Sequence, residues 1–435
     1  MIDHMNAVSF IKIPVLDRPF DKVIRIPGSK SITNRALLIA ALASGTTTLK
    51  NVLFSDDTEY MINALSMLGI GMDIDRVQNE ITVQGKEGIL ENPGEPIFIG
   101  NSGTCARFLT TAVTLGEGDF VIDGNERMRQ RPIQDLVDGL KGLGVDIETE
   151  NDSGCPPLLV HASGLHGGVT NVSGATSSQY LSSILLSAPY ASGPITILIN
   201  GKLVSRPYVV MSTRMMQDFG ARVEWNTDNE LTTYTDVKYL AKDDYIIESD
   251  YSSASYFGAA ATLTGSHVKM TLLPKDSLQG DKAFLDILQR MGAKIVQRGD
   301  VVEVTGTGKL RGISVDMFDC SDLVPTVAVL AAFAEGTTRI TNVENIRVKE
   351  SDRIAVLATE LQKIGANIIE YQDGLEIRGD ASALHGASIE TYDDHRVAMS
   401  FSVAGLKIPG IAIENPSCVA KTYPAFFDEF MALLQ

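Results

Sequence analysis

The sequence predicts a two-domain α/β protein assembled from six copies of one unit. Small-residue apolar runs recur at near-constant spacing, a second series of amphipathic segments recurs in phase with them, and 435 residues exceed what one core usually serves.

The first run, GSKSITNRALLIAALASG at residues 28–45, reads as a buried helix whose start carries Lys30, Ser31 and Arg35. Orphan N–H groups and the helix dipole make such a start an anion site, and a capped core helix with solvated bases is the alternative. Five similar runs end at Gly118, Gly193, Gly265, Gly336 and Gly410, so the steps from Gly45 are 73, 75, 72, 71 and 74 residues. Between them lie amphipathic helices that stop at Gly69, Gly144, Gly220, Gly292 and Gly365, each followed by an alternating, strand-like stretch. The sixth copy stops where its glycine would come. Its missing strands are therefore expected from residues 8–26, which places both chain ends in one domain.

The expected domains are residues 21–245, with units one to three, and a discontinuous domain of residues 1–20 and 246–435. Two crossings, near Asp21 and Asp244, would form a hinge beside a closable cleft.

Hydrophobic residues make up 44% of the chain, ample for two cores. No run is long and free enough of polar groups to span a bilayer, and MIDHMNAVSF lacks the basic region of a signal peptide, so a cytoplasmic protein is expected. Met5 is a second candidate start. Cys105, Cys155, Cys320 and Cys418 are too scattered for a zinc site or a disulfide framework. Lys and Arg number 37 against 54 acidic residues, a net charge of −17 that disfavours nucleic acid. A locally basic cleft for a small anion remains compatible with that surface.

Polar residues that packing does not require gather at the helix starts. They form GNSGTCAR at 101–107 with its preceding glycine, ERMRQRP at 126–132, SSQ at 177–179, SRPY at 205–208, NIRVKESDR at 345–353, DDHR at 393–396 and AKTYP at 420–424. So many cations call for more than one anionic group on the substrates. Asp322 and Glu350 are candidates for general base and acid, with a helix N-cap and a solvated ion-pair arm as their ordinary alternatives. His395 is either a proton carrier or a cap, and DDHR lacks the spacing of a metal site.

In their order and spacing these motifs resemble the 5-enolpyruvylshikimate-3-phosphate synthases (3-phosphoshikimate 1-carboxyvinyltransferases) along essentially the whole chain. The resemblance implies an inverse α/β barrel in each of two domains, six βαβαββ repeats in all, and a hinged cleft. It implies transfer of the enolpyruvyl group of phosphoenolpyruvate to shikimate 3-phosphate in aromatic amino-acid biosynthesis, with no cofactor and no metal. Carried over by position, Lys30, Ser31, Arg35, Ser177, Ser178, Gln179, Ser205, Tyr208, Asp322, Asn345 and Lys349 would hold shikimate 3-phosphate. Lys30, Asn101, Gly103, Arg131, Gln179, Arg353, Arg396 and Lys421 would hold phosphoenolpyruvate. Asp322, Glu350, Lys30 and His395 would be catalytic. A monomer without nucleic-acid or membrane partners is expected, and glyphosate is expected to compete at Gly103. Phe108 departs from the proline common in the family, and Cys105 from a small residue. The sister UDP-N-acetylglucosamine enolpyruvyl transferases match less well, having Asn where Ser31 stands and lacking SSQ and SRPY.

Overall fold

The computed structural model describes residues 10–435, so Met5 and the start of the 8–26 stretch lie outside the described residues. The chain divides into two compact units: one runs from Gly28 to Glu248, and the other joins the segment ending at Pro27 to Ser249–Gln435.

The third repeat shows the unit at full length. Gly168–Ser173 pairs in parallel with Ile195–Asn200, and the helix Ser178–Ser187 makes the crossover that parallel pairing requires. The helix Arg206–Asp218 then leads to Val223–Thr227 and Glu230–Thr233, which add antiparallel strands. Among the described residues five sheets have four strands in this arrangement and do not close into barrels; the second, third and fifth follow the chain order βαβαββ, while the first and fourth each take one strand from elsewhere in the chain.

The crossings differ from the expected ones. Asp21–Arg25 pairs in parallel with His267–Thr271 of the fourth repeat, while Asp244–Ile246 pairs in parallel with Ser44–Lys50 of the first. Each strand preceding a crossing thus belongs to the unit the chain is leaving, and the crossings fall after Pro27 and after Glu248 rather than at Asp21 and Asp244. Short bonds secure both exits: Ser249 Oγ donates to the Ile26 oxygen at 2.7 Å, and the Ser29 N–H to the Glu248 oxygen at 2.8 Å. The sixth sheet has three strands. Ser388–Ile389 lies parallel to Ala412–Glu414, and Phe10–Lys12 pairs antiparallel on its other side. Of the N-terminal stretch, then, Phe10–Lys12 completes the sixth repeat and Asp21–Arg25 the fourth.

Each unit is centred on three helices that touch one another: Lys30–Leu42, Gly103–Ala112 and Ser178–Ser187 in one, Tyr251–Thr264, Val324–Ala332 and His395–Gly405 in the other. Beyond their first turns they are buried on all sides and built mainly of apolar and small residues, and every residue of Tyr251–Thr264 is buried. Small hydroxyl residues join them where they meet. Thr111 bonds Ser183 at 2.6 Å in the first unit, while Thr326 links Ser255 and Ser400, each at 3.3 Å, in the second. The glycines of the second repeat series all have positive φ, from 79° at Gly144 to 121° at Gly292. That conformation is costly for any side chain, which explains their regular recurrence.

Candidate active site

In the unit Gly28–Glu248 the three enclosed helices present their N-terminal residues close together. Lys30 opens the first and pairs with Asp57 at 3.0 Å. The Cys105 thiol, on the second, donates to the main-chain oxygen of Asp57 at 3.2 Å, so Cys105 is a buried support for this pair. Gly103 begins the second helix and Asn101 lies just before it; Arg131 Nη1 donates to both the main-chain oxygen and Oδ1 of Asn101 at 3.1 Å. Ser177 caps the third helix by accepting the Gln179 N–H, and Gln179 Nε2 reaches Thr104 Oγ1 at 3.4 Å. Ser178 is buried in the first turn of that helix.

Arg35 lies deeper. Its Nε donates to Ser212 Oγ at 2.7 Å, Nη1 to the Ser31 oxygen at 2.9 Å, and Nη2 to the Tyr208 oxygen at 3.3 Å and Ser182 Oγ at 3.4 Å. These acceptors are all neutral, and burial lowers the guanidinium to about 10. The Phe108 ring centroid lies 5.0 Å from it. Ser205, with φ 51°, precedes the helix that carries Tyr208, and its oxygen accepts the Tyr208 N–H. The expected residues of this unit are thus connected, with Arg35 facing hydroxyls and carbonyls.

The second cluster is an ion-pair network. Asp322 accepts from Lys349 Nζ at 2.7 Å, Arg353 Nη1 at 3.0 Å and Arg396 Nη2 at 2.8 Å. It sits in the turn Ser321–Leu323 and makes no cap for the helix Val324–Ala332, so its carboxylate is committed to cations. Burial alone would raise it, but Arg396, Lys349 and Arg353 outweigh that and hold it well below the usual carboxylate range. Arg353 also binds Glu350 at 2.9 Å and Asp394 at 2.8 Å. The Glu350 side chain is 8% exposed, which excludes a solvated arm. Asn345 Nδ2 donates to Ser321 Oγ at 3.4 Å. His395 is buried with Nδ1 3.9 Å from Asp394, and Lys421 ends the turn Pro416–Lys421 against the His395 helix.

Three carboxylates had no role assigned to them in the sequence reading of the site. Asp57 holds Lys30; Asp394 caps the His395 helix while gripping Arg353; Asp281 is buried beside Ser252. The DDHR motif contains Asp394, whereas Asp57 and Asp281 stand in ordinary acidic contexts. No group of His, Cys, Asp and Glu among the described residues is arranged to hold a metal ion, and no described helix is long and apolar enough to cross a membrane.

The family profile described as EPSP synthase (3-phosphoshikimate 1-carboxyvinyltransferase) matches residues 17–430. The 3-phosphoshikimate 1-carboxyvinyltransferase of Trichormus variabilis is 45% identical over 424 residues, covering 98% of this chain and 99% of that one. Its counterpart from Vibrio campbellii is 44% identical over 421 residues, 96% of this chain and 98% of that one. Two solved EPSP synthase structures from Acinetobacter baumannii are similar, with TM-scores of 0.80 and 0.81 at 28% and 26% identity. They cover 96% and 98% of both chains, respectively.

Proposed function

The chain belongs to the EPSP synthase family, and from that premise we propose how its residues carry out the family's reaction. The enzyme transfers the enolpyruvyl group of phosphoenolpyruvate to the 5-hydroxyl of shikimate 3-phosphate and releases phosphate. The hydroxyl oxygen attacks C2 while C3 gains a proton, and the tetrahedral intermediate then expels phosphate. The reaction needs a base, an acid, and cations for a carboxylate and two phosphates.

The observation that carries the assignment of roles is Asp322, gripped by Lys349, Arg353 and Arg396 within 3.0 Å. Held so far down, its carboxylate is a weak base. Substrate anions that engage the same cations would weaken their grip and raise its proton affinity, so that it becomes a base when substrate is present. Asp322 takes the hydroxyl proton and Glu350, ion-paired with Arg353, delivers one to C3, with His395 supporting. Lys30, Asn101, Gly103, Arg131, Gln179, Arg353, Arg396 and Lys421 hold phosphoenolpyruvate. Lys30, Ser31, Arg35, Ser177, Ser178, Gln179, Ser205, Tyr208, Asp322, Asn345 and Lys349 hold shikimate 3-phosphate, Arg35 supplying charge from beneath Ser31 and Tyr208. The protein works as a cytoplasmic monomer. Glyphosate competes with phosphoenolpyruvate at Gly103 and Arg131, and Phe108 influences that pocket only through the helix it shares with Gly103.

Phosphate release with phosphoenolpyruvate and shikimate 3-phosphate tests the reaction, with UDP-N-acetylglucosamine as a parallel acceptor. Release with the nucleotide sugar, or with neither acceptor, would overturn it. A glyphosate inhibition curve, competitive against phosphoenolpyruvate, tests the last point.

A further inference from the structure

Asp281 is buried in the turn Gly280–Ala283 and has no part in the roles assigned above. Its Oδ2 accepts the Ser252 hydroxyl; Ser252 Oγ accepts Arg396 Nη2 at 3.4 Å; and the same Nη2 donates to Asp322 Oδ2 at 2.8 Å. A buried carboxyl thus stands one hydroxyl away from a guanidinium assigned to phosphoenolpyruvate. Arg396 lies between two carboxyl groups, Asp322 bonded to it directly and Asp281 through Ser252, with Asp250 also facing Asp281. An anion arriving at Arg396 is opposed by these charges, and protonating Asp281 lessens that opposition.

We propose that Asp281 is a proton-linked positioning residue, which orients Arg396 through Ser252 and takes up a proton when an anion engages Arg396. The proposal rests on the reading of Arg396 as a phosphoenolpyruvate ligand. Burial first, and then the nearby Asp322 charge, push Asp281 up to about 6, against the opposing pull of Arg396 and the Ser252 hydroxyl, with Asp250 adding to the rise. The groups facing it are Asp250 and Ser252 at the start of the Tyr251 helix, Cys320 and Asp322 on the neighbouring turn, and Arg396. On its own turn Lys282 is directed to the Lys275 oxygen, and on the next helix the exposed Asp286 faces Arg290 at 3.8 Å. A carboxyl with a raised folded pKa favours the protonated state, and an anion beside Arg396 raises it further. The contribution of Asp281 to anion binding therefore grows as pH falls from neutrality toward 6.

The test is calorimetric titration of the full chain with phosphoenolpyruvate, and separately with inorganic phosphate, at pH 7 in buffers of differing ionisation enthalpy. Wild type should take up more protons per ligand bound than Asp281→Asn, whose amide oxygen still accepts the Ser252 hydroxyl. Titration of the ligand itself is common to both proteins and cancels in the difference. Equal uptake overturns the proposal. Ser252→Ala, which cuts the link but keeps the carboxyl, should raise KM for phosphoenolpyruvate about tenfold with kcat little changed, a loss of ground-state binding. An unchanged KM overturns the positioning role, and it also decides the matter if Asp281→Asn does not fold. Failure of wild type to release phosphate with shikimate 3-phosphate would overturn the proposed function instead, because proton uptake on phosphate binding is read without turnover.

Discussion

The Arg131 guanidinium fills the space that a side chain on Gly103 would need. A Cβ placed on Gly103 would lie 2.6 Å from Arg131 Nη2, closer than a non-bonded Cβ tolerates, and a tight 3.1 Å from Cζ. Gly103 has no positive φ, so the requirement for glycine here is contact with Arg131 and not backbone strain.

Gly103→Ala should therefore move Arg131 without unfolding the helix. KM for phosphoenolpyruvate is expected to rise about tenfold, roughly 1.4 kcal/mol, with a smaller change in kcat. Steady-state kinetics check this, and an unchanged KM would mean that Arg131 does not bind the donor.

Glu360 is an anchor behind the second cluster. It is buried, accepts the Tyr392 hydroxyl at 3.0 Å and the Glu390 N–H at 3.2 Å, and pairs with Lys363 at 2.8 Å. Tyr392 and Asp393 are consecutive left-handed residues, φ 53° and 55°, and lead directly into Asp394, His395 and Arg396. Such residues cost about 1–3 kcal/mol each and persist only where their surroundings hold them. Glu360→Gln should lower stability by about 1–3 kcal/mol in urea denaturation and raise KM for phosphoenolpyruvate severalfold. Tyr392→Phe should shift both in the same direction but less. Wild-type stability in both variants would show that the turn needs no anchor.

The repeats were legible in the sequence because their glycines answer to a local requirement, a positive-φ helix end that recurs in five of the six copies. The exchange of Asp21–Arg25 and Asp244–Ile246 between sheets was not. Both are short strands before a Gly or Ser turn, and their partners, His267–Thr271 and Ser44–Lys50, lie some two hundred residues away. Local pattern carries no information about which distant edge such a strand joins. The site shows the same division. Basic motifs at helix starts announce an anion site through a local rule, but whether Asp322 caps a helix or binds cations depended on Lys349 and Arg353 from farther along its own repeat and on Arg396 from the next. Asp57 and Asp281 gave no signal, since one acidic residue near a turn has no distinguishing neighbours in sequence.

Asp322→Asn should abolish most turnover, about 10²- to 10⁴-fold, while phosphoenolpyruvate still binds. It should also destabilise the protein, by about 2–4 kcal/mol at neutral pH, since three buried or half-buried cations lose their shared counter-charge. Asp322 is held below its ordinary value of 3.8, so its stabilisation is full above that value and fades as pH falls through the lower folded value. The gap between wild type and variant should accordingly be widest near neutrality and close progressively below pH 3.8. A gap independent of pH would place the loss in packing rather than charge.

Arg35 supports the opposite expectation for stability. Its guanidinium is buried among Ser31, Ser182, Tyr208 and Ser212, with a value lowered to about 10. The Ser212 hydroxyl stands 2.8 Å from Ser182 Oγ and 2.9 Å from the Tyr208 oxygen, so its one proton keeps an acceptor without Arg35. Replacing a buried charge by an apolar group of similar length is often neutral or stabilising. Arg35→Met should thus melt within a few degrees of wild type when free of ligand, its thioether packed on Phe108. Shikimate 3-phosphate at one hundred times Kd should stabilise wild type by about 2.7 kcal/mol. At the same concentration Arg35→Met should gain almost nothing, because the buried charge that an anion would satisfy is gone. Thermal melts with and without ligand separate the cases. A variant that is strongly destabilised yet keeps the full ligand shift would make Arg35 a structural residue and remove it from the phosphate pocket.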